Sequence, residues 1–367
     1  MSQANRAMLD YVVCSIAGTG VPGYYEGNRM TCKMNCPSGI AMGQGDCIYV
    51  SDRQNHCIRR LPGIEEQTAP GKEDDVSTFA GVPRKSGMED GHNRRALFNE
   101  PGGICCLKVG SFPVACFHRL ASGLLTRLQS GKILVVDREN HCIRAITDNH
   151  VIHAYGSRSS ESGWMDAATS KALFNRPFGI AASSTGELFV ADTGNHSVRK
   201  IDLSGNVSTL LSRRDSRIKD QPLISPVGIC VDEQNCVYVS EWGGHRIRRV
   251  QPDGSSVIWV GTSQKGKLDG KGINGSLFHP AGMSVDTKGI VYVADFGNHC
   301  VRRINTTGEM ITLGVAGNVL VDDDYGRYVS SSLGCQDGSG PTASFNSPQV
   351  KFDSESFTVR NRAHVDS

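Results

Sequence analysis

The chain has 367 residues, 38% of them hydrophobic and 21% charged, and its formal net charge is only +2. This balance excludes a strongly basic nucleic-acid protein and a polyacidic tail, and no run of apolar residues is long enough to predict a membrane-spanning helix. Glycine contributes 42 residues, about 11% against a usual ~7%, which predicts many tight turns and therefore many short strands.

The beginning of the chain does not resemble a signal peptide, because no basic region precedes the short apolar stretch 11–17. The 13 cysteines are an odd number, and without an export signal we expect reduced thiols and a cytoplasmic protein. A fragment of a longer or secreted chain stays open as the alternative. Residues 11–18 are predicted to form a strand, because they are similar to 76–81.

A ten-residue phrase recurs five times along the chain. Each copy has an acidic residue, then a histidine four positions later, with asparagine before the histidine in every copy except the fourth. These motif residues are Asp52, Asn55, His56, Asp137, Asn140, His141, Asp192, Asn195, His196, Glu241, His245, Asp295, Asn298 and His299. A chemical site is normally built once from unlike residues, so repetition favours an architectural role. We interpret the motif as fixing the turn between two strands.

A second phrase, Pro-x-Gly-Ile or Pro-x-Gly-Met, precedes each copy and marks the start of a unit. The prolines are Pro37, Pro101, Pro177, Pro226 and Pro280, with a degenerate start at Pro348. Each unit is predicted to hold four short strands, which in the third unit are 179–182, 187–191, 197–201 and 207–211. The second strands are apolar on both faces, so each needs a sheet packed on either side. A ring of such sheets is the β-propeller.

The whole chain, 1–367, is therefore predicted to be one all-β domain, a six-bladed β-propeller of four-stranded antiparallel blades. The blades are expected to start near 37, 101, 177, 226, 280 and 348. No convincing third strand follows the last start, so residues 11–18 are expected to complete the last blade and close the ring. Insertions are predicted near 109–130 and 319–334.

The motif Asp-x-x-Asn-His-x-Ile-Arg-x-Ile, following a Val-Ala-Asp strand, resembles the NHL repeat over roughly 11–360. The resemblance implies a six-bladed NHL propeller but is poorly specific for function. The family includes protein-binding scaffolds, RNA-binding regions of ubiquitin ligases and a lyase that acts on hydroxyglycine peptides.

Recognition is expected on the top face, defined as the end of the ring that carries the turns between second and third strands. Trp242 and Phe296 replace small or charged residues at equivalent turn positions of neighbouring blades. They form either an exposed hot spot or a pair packed beneath adjacent loops, and both interpretations stay open. The cations predicted to surround them are Arg53, Arg138, Arg213, Arg214, Arg217 and Lys265.

We expect a non-catalytic scaffold that binds a protein or peptide partner at the top face and needs no cofactor or metal. An RNA-binding propeller is the first alternative, although acidic residues interrupt the basic ones where a phosphate backbone favours a continuous stripe. A lyase or lactonase with a metal in its channel is the second. The histidines outside the motif show no metal-ligand spacing, and only His279 falls just before an inner strand. The oligomeric state is open.

Overall fold

The structure, a computed structural model, describes residues 12–13, 15–63, 75–107, 132–147, 149–218, 220–315, 338–339, 349–353 and 356–360. Both predicted insertions, near 109–130 and 319–334, lie outside the described residues. The first strand is β1 (Val12–Val13).

Five sheets are arranged as the blades of a propeller. Blade one comprises β2 (Gly27–Asn28), β3 (Pro37–Met42), β4 (Ile48–Asp52), β5 (Cys57–Leu61) and β6 (Asp75–Ala80). Blade two comprises β7 (Gly91–His92), β8 (Pro101–Cys106), β9 (Ile133–Asp137), β10 (Cys142–Ile146) and β11 (His150–Gly156). Blade three comprises β12 (Ala167–Ala168), β13 (Ile180–Ala182), β14 (Leu188–Asp192), β15 (Ser197–Ile201) and β16 (Asn206–Ser212).

Blade four has four strands, β17 (Pro226–Val231), β18 (Val237–Glu241), β19 (Arg246–Val250) and β20 (Ser256–Val260). Blade five has β21 (Gly270–Lys271), β22 (Pro280–Val285), β23 (Val291–Asp295), β24 (Cys300–Ile304) and β25 (Glu309–Val315). Three further strands are β26 (Gly338–Ser339), β27 (Gln349–Asp353) and β28 (Ser356–Arg360). The 3-10 helices of the described residues are Gln44–Asp46, Arg53–Asn55, Arg138–Asn140, Thr169–Lys171, Thr193–Asn195, Ser216–Ile218, Gly272–Asn274 and Phe296–Asn298.

The all-β propeller is confirmed, but the prediction of six four-stranded blades is wrong. The described residues form five blades, four of which have five strands. The extra strand is a two-residue segment of the preceding link that pairs with the start of the fourth strand, a long-range pairing without periodicity in the sequence. Of the described strands, β27 and β28 form the two-stranded sheet that lies between β22 and β3.

The prediction that residues 11–18 complete a sixth four-stranded blade and close the ring is also wrong. Within the described residues, Val12–Val13 pairs with Gly338–Ser339, and β28 pairs with β27 alone. No described strand connects these two pairs into one sheet.

The centre of the ring explains the glycine of each Pro-x-Gly phrase. The strand that begins at or just after the Pro-x-Gly phrase is counted as the first of the four main strands of its blade. These first strands, β3, β8, β13, β17 and β22, pack side by side around the axis. A Cβ atom on Gly228 would lie 2.0 Å from the carbonyl oxygen of Ala281, and one on Gly179 would lie 2.3 Å from that of Val227. Only glycine allows this approach of two backbones. Apolar cores fill the space between blades, as where Leu134 of blade two packs in one cluster with Val190 of blade three.

The repeated histidine ends the turn between the second and third strands. In every copy the acidic residue is followed by a short 3-10 helix, or in blade four by a turn, and the histidine takes a left-handed conformation. Its φ angle lies between 48° and 54° in all five copies, which are His56, His141, His196, His245 and His299. Histidine is among the residues that tolerate this conformation best. The tight turn places the residues after the acid on the top face.

Candidate functional site

The motif carboxylate is the hub of a buried network beneath the top face. In blade three, the fully buried Asp192 accepts hydrogen bonds from the backbone N–H of Asn175 (2.8 Å), from Nδ2 of Asn195 (2.8 Å) and from Nη1 of Arg199 (3.0 Å). Asp52, Asp137 and Asp295 make the same three kinds of bond in their own blades. Nδ2 of Asn55, Asn140, Asn195 and Asn298 also donates to a carbonyl of the preceding link. These contacts tie the turn to the link.

The motif histidine connects each blade to the next. Nδ1 of His56 accepts a hydrogen bond from the backbone N–H of Glu100 at 3.1 Å, and Glu100 directly precedes the first strand of blade two. Equivalent bonds of 2.9–3.2 Å join His141 to Arg176, His196 to Ser225 and His245 to His279. Burial lowers the pKa of His56, His141, His196 and His245, so each imidazole stays neutral and Nδ1 remains an acceptor.

Blade four replaces the motif asparagine with Gly244 and compensates with a second arginine. Glu241 accepts from Nη2 of Arg246 (2.9 Å) and from Nε of Arg248 (2.7 Å). The same Nη2 of Arg246 donates to the carbonyl of Pro222 in the link. Arg246 thus joins the motif acid to the link, as the asparagine does in other blades, but through a different link carbonyl. The longer glutamate reaches both guanidinium groups.

An aromatic cluster lies on the top face where blades four and five meet. The ring of Trp242 stacks on His279 with centroids 4.6 Å apart and an interplanar angle of 3°. Phe296 lies 4.9 Å from Trp242, and His279 also contacts His245 (4.8 Å) and Phe278 (4.4 Å). We call these five side chains the aromatic cluster. The expected pair of Trp242 and Phe296 is therefore in contact.

The two predicted aromatic residues differ in exposure. Trp242 is half-buried, whereas Phe296 is only 7% exposed and packs with Ala294 and Leu313 in a core cluster. Phe296 consequently forms the floor of the aromatic cluster, and Trp242 presents the accessible ring.

The surroundings of the aromatic cluster keep it uncharged except at one edge. Burial, together with the neighbouring His245 and Lys265, lowers the pKa of His279 to about 4. Nζ of the exposed Lys265 lies 5.7 Å from the centroid of the Phe278 ring. At neutral pH the site is thus an aromatic surface with one cation at its rim.

The opposite arc of the top face is a chain of ion pairs. Glu100 accepts from Nη1 of Arg138 at 2.8 Å and lies 3.8 Å from Nη1 of Arg53. Glu139 pairs with Arg138 (2.9 Å) and with Arg176 (3.0 Å). Carboxylates therefore neutralise Arg53 and Arg138, which were both predicted as cations of the binding face.

The three arginines of the link before blade four are not gathered beside Trp242. Arg213 follows blade three and donates its backbone N–H to the carbonyl of His196. The guanidinium of Arg214 lies 5.1 Å from the ring of Trp164. Arg217 pairs with Asp215 and donates to the carbonyl of Gly254 in the turn opposite the top face. The link runs along the outer side of the ring, from the turn at His196 to the turn at Gly254. The three arginines are therefore spread along it.

Sequence reasoning did not place His279, His245 or Phe278 in the site. The available signal was the position of His279 immediately before Pro280. In all five blades the residue before this proline has a positive φ, between 44° and 51°. The residues are Cys36, Glu100, Arg176, Ser225 and His279. Among the described residues no group of three His, Cys, Asp or Glu side chains forms a metal site, and no described helix is long and apolar enough to cross a bilayer.

The resemblance to NHL-repeat propellers is confirmed by comparison with known families. A family model described as the NHL repeat matches residues 34–61 and 279–304. A second model, described as the SMP-30/gluconolactonase/LRE-like region, matches residues 173–263. Both descriptions are of propeller repeats, so they fit the architecture.

Curated relatives match most of this chain in sequence. Protein SUPPRESSOR OF QUENCHING 1, chloroplastic, of Arabidopsis thaliana is 24% identical over 83% of this chain and 28% of its own length. Human NHL repeat-containing protein 2 is 25% identical over 82% of this chain and 43% of its own length. The chain thus spans less than half the length of these relatives.

Among solved structures, an auxiliary nutrient binding protein from Bacteroides thetaiotaomicron matches with a TM-score of 0.64 and 15% identity, covering 99% of this chain and 76% of that one. At this identity the match shows the fold alone.

Proposed function

Taking the chain as an NHL-repeat propeller, we propose that it is a binding scaffold whose top face holds a protein or peptide partner at the aromatic cluster. The observation that supports this is the stack of Trp242 on His279 above the buried ring of Phe296. At the position of Trp242, blade five has Phe296, whereas the other three blades have Arg53, Arg138 and Thr193. The fold of a blade therefore does not require an aromatic residue there. A half-buried tryptophan on a rigid floor is the usual chemistry of an interaction hot spot.

The charges of the top face favour a protein over RNA. A nucleic-acid backbone is held by arginines and lysines that lie in a continuous stripe. Here Glu100 engages both Arg53 and Arg138. In the link before blade four, Arg217 pairs with Asp215 and reaches the turn at Gly254 near the other end of the ring. The exposed Lys265 lies at the rim of the aromatic cluster, which suits a partner segment with an apolar side chain and a nearby carboxylate.

Quantitative affinity capture tests the proposal with a matched pair of variants. Trp242→Ala removes the accessible ring of the aromatic cluster, and Trp164→Ala removes another partly exposed tryptophan, 41% exposed on the outer side of blade three. Loss of a hot-spot ring costs ~2 kcal/mol or more of binding, which is at least a tenfold weaker affinity. Proteins that bind the top face should be lost from Trp242→Ala and retained by Trp164→Ala.

Two other outcomes would contradict the proposal. Equal capture by Trp242→Ala and by the unchanged protein, with circular dichroism showing that both are folded, would mean that the aromatic cluster binds no partner. Loss of every captured protein after nuclease treatment would favour the RNA-binding alternative.

A further inference from the structure

The outer edges of the blades are not equivalent. In blades one, two, three and five, a two-residue strand of the preceding link pairs with the fourth strand, as Ala167–Ala168 pairs with Val207 and Asn206 in blade three. Among the described strands, none takes this place in blade four. Within the described ranges nothing pairs with the outer edge of β20, so its outward backbone groups form an open sheet edge.

We call these two-residue strands, β2, β7, β12 and β21, the leading strands. In three blades the residue directly before the leading strand is an aspartate that binds the buried arginine of the motif. Asp90 accepts from Arg144 at 2.6 Å, Asp166 from Arg199 at 2.7 Å and Asp269 from Arg302 at 2.5 Å. Asp166 further accepts from the backbone N–H of Thr209 on the fourth strand at 2.9 Å. In blade one, Glu26 accepts from the equivalent N–H of Thr78 at 2.7 Å.

Arg248 of blade four retains every part of this arrangement except the carboxylate. Like Arg302 of blade five, it donates Nε to the motif acid (2.7 Å and 2.8 Å) and Nη2 to a link carbonyl (2.6 Å and 3.0 Å). Nη1 of Arg302 donates to Asp269 and to Thr312. Among the residues that the structure describes, Nη1 of Arg248 meets only the hydroxyl of Ser256, at 3.5 Å, although the side chain is 1% exposed. Compared with Arg302, the buried guanidinium of Arg248 therefore lacks one strong hydrogen-bond acceptor.

The balance of buried charge points the same way. In blade five, one arginine lies between two carboxylates, which raise the pKa of Arg302 although burial alone lowers it. In blade four, Arg246 and Arg248 share the single carboxylate of Glu241, and burial lowers the pKa of Arg248. In the buried network of blade four, two guanidinium groups therefore share one carboxylate, and a second acidic group would balance them.

We propose that the outer edge of blade four is a strand-addition site for an extended acidic segment of a partner protein. The segment pairs with β20 as the leading strands pair in other blades, and one carboxylate binds Nη1 of Arg248. Ile258 occupies the position of Thr78, Thr209 and Thr312, so the carboxylate is held by the guanidinium and a backbone N–H without a hydroxyl. Val257 on β20 is 57% exposed, and Ile273, in the 3-10 helix packed against β20, is 68% exposed. Both offer apolar contact to the segment.

The protein's own leading strand supplies the probe. A fluorescent peptide with the sequence of residues 161–168 contains Asp166 and the strand residues of β12. Its affinity for the whole chain is measured by anisotropy at low salt, next to the same peptide with Asp166→Asn. We expect the aspartate peptide to bind at least tenfold more tightly, because only a charged carboxylate compensates the buried guanidinium.

Variants of the chain locate the binding edge. Val257→Asp should weaken binding of the aspartate peptide and Val257→Lys should strengthen it, and both replace an exposed side chain. The matched control is Ser208→Asp, at the equivalent position of blade three, where the edge is already paired; it should leave binding unchanged. Ile258→Pro removes the outward N–H at a position where an edge strand tolerates proline, and it should abolish binding in a folded protein.

Several results would overturn the inference. These are equal affinity of the two peptides, no effect of charge at position 257, equal weakening by Ser208→Asp, or normal binding by a folded Ile258→Pro protein. A dimer that sedimentation detects and Val257→Asp dissociates would assign the edge to a second copy of the chain instead. None of these variants lies in the aromatic cluster, so the top-face proposal stands or falls separately.

Discussion

Among the residues of blade four, Glu241 is the one whose replacement should lower the free energy of unfolding most. The fully buried carboxylate accepts from the backbone N–H of Ile224 at 3.0 Å and pairs with Arg246 and Arg248, which are 5% and 1% exposed. Glu241→Gln keeps the shape of the side chain and removes the charge. Two buried guanidinium groups are then left without a carboxylate, and breaking a buried ion pair costs about 3–5 kcal/mol.

Asp192→Asn in blade three is the matched control. Asp192 is equally buried, but its arginine, Arg199, retains a second carboxylate in Asp166 at 2.7 Å. We therefore expect a smaller cost, of about 1.5–3 kcal/mol, which is the range for losing a hydrogen bond to a charged group.

Urea denaturation followed by tryptophan fluorescence measures both variants. The chain has three tryptophans: Trp242 and Trp259 lie in blade four, and Trp164 contacts the fourth strand of blade three through Thr209. With a denaturant slope of about 2 kcal/mol/M, Glu241→Gln should move the midpoint down by roughly 1.5–2.5 M. The reasoning is refuted if Glu241→Gln costs under about 1 kcal/mol, or if Asp192→Asn costs as much.

Three further predictions concern the aromatic cluster and the centre of the ring. Phe296→Ala should lower the free energy of unfolding by about 3–5 kcal/mol because the ring is buried, whereas Trp242→Ala should cost less in the same urea titration. The pKa of His279 is about 4 in the folded chain and 6.5 for a free histidine, so the unfolded chain binds the proton first as the pH falls. The stability that neutral His279 contributes is complete above pH 6.5 and lost toward pH 4, and a melting temperature that falls from pH 7 to pH 5 as steeply in His279→Gln would contradict this. Gly228→Ala should destabilise by about 3 kcal/mol, the upper end of overpacking costs, because the new methyl group meets the Ala281 carbonyl; an unchanged urea midpoint would show that the blades can separate there.

The sequence predicted the blade strands well because they are both repeated and apolar. In blade three the predicted strand 187–191 is β14 at Leu188–Asp192, and the predicted strand 197–201 is β15. The two-residue leading strands are not predicted because two residues carry no periodicity. Their pairing also depends on a fourth strand about 40 to 60 positions further along the chain. The predicted number of blades is wrong for a different reason. It assumes that every start is followed by four strands, whereas the described residues after Pro348 form a sheet of two strands.

The candidate site was predicted in part. Equivalent positions of the repeat were enough to bring Trp242 and Phe296 together, because the fold repeats the turn. They could not show that Phe296 is buried, because its burial depends on packing with strand residues such as Ala294 and Leu313. Nor could they show that His279 stacks on Trp242, which depends on the left-handed backbone before Pro280. Arg217 was assigned to the top face on the assumption that links stay at one end of the ring, and the structure brings it to Gly254 near the other end.

The bond from each motif histidine to the next blade bears on how such a ring can change in evolution. Four consecutive junctions use one contact, from an imidazole nitrogen to the N–H of the residue before a unit-opening proline. A duplicated unit therefore carries both halves of a junction, the acceptor at its turn and the donor at its start. Whole units can be gained or lost while every surviving joint keeps its chemistry, so the number of blades is free to vary among relatives that retain the same repeat.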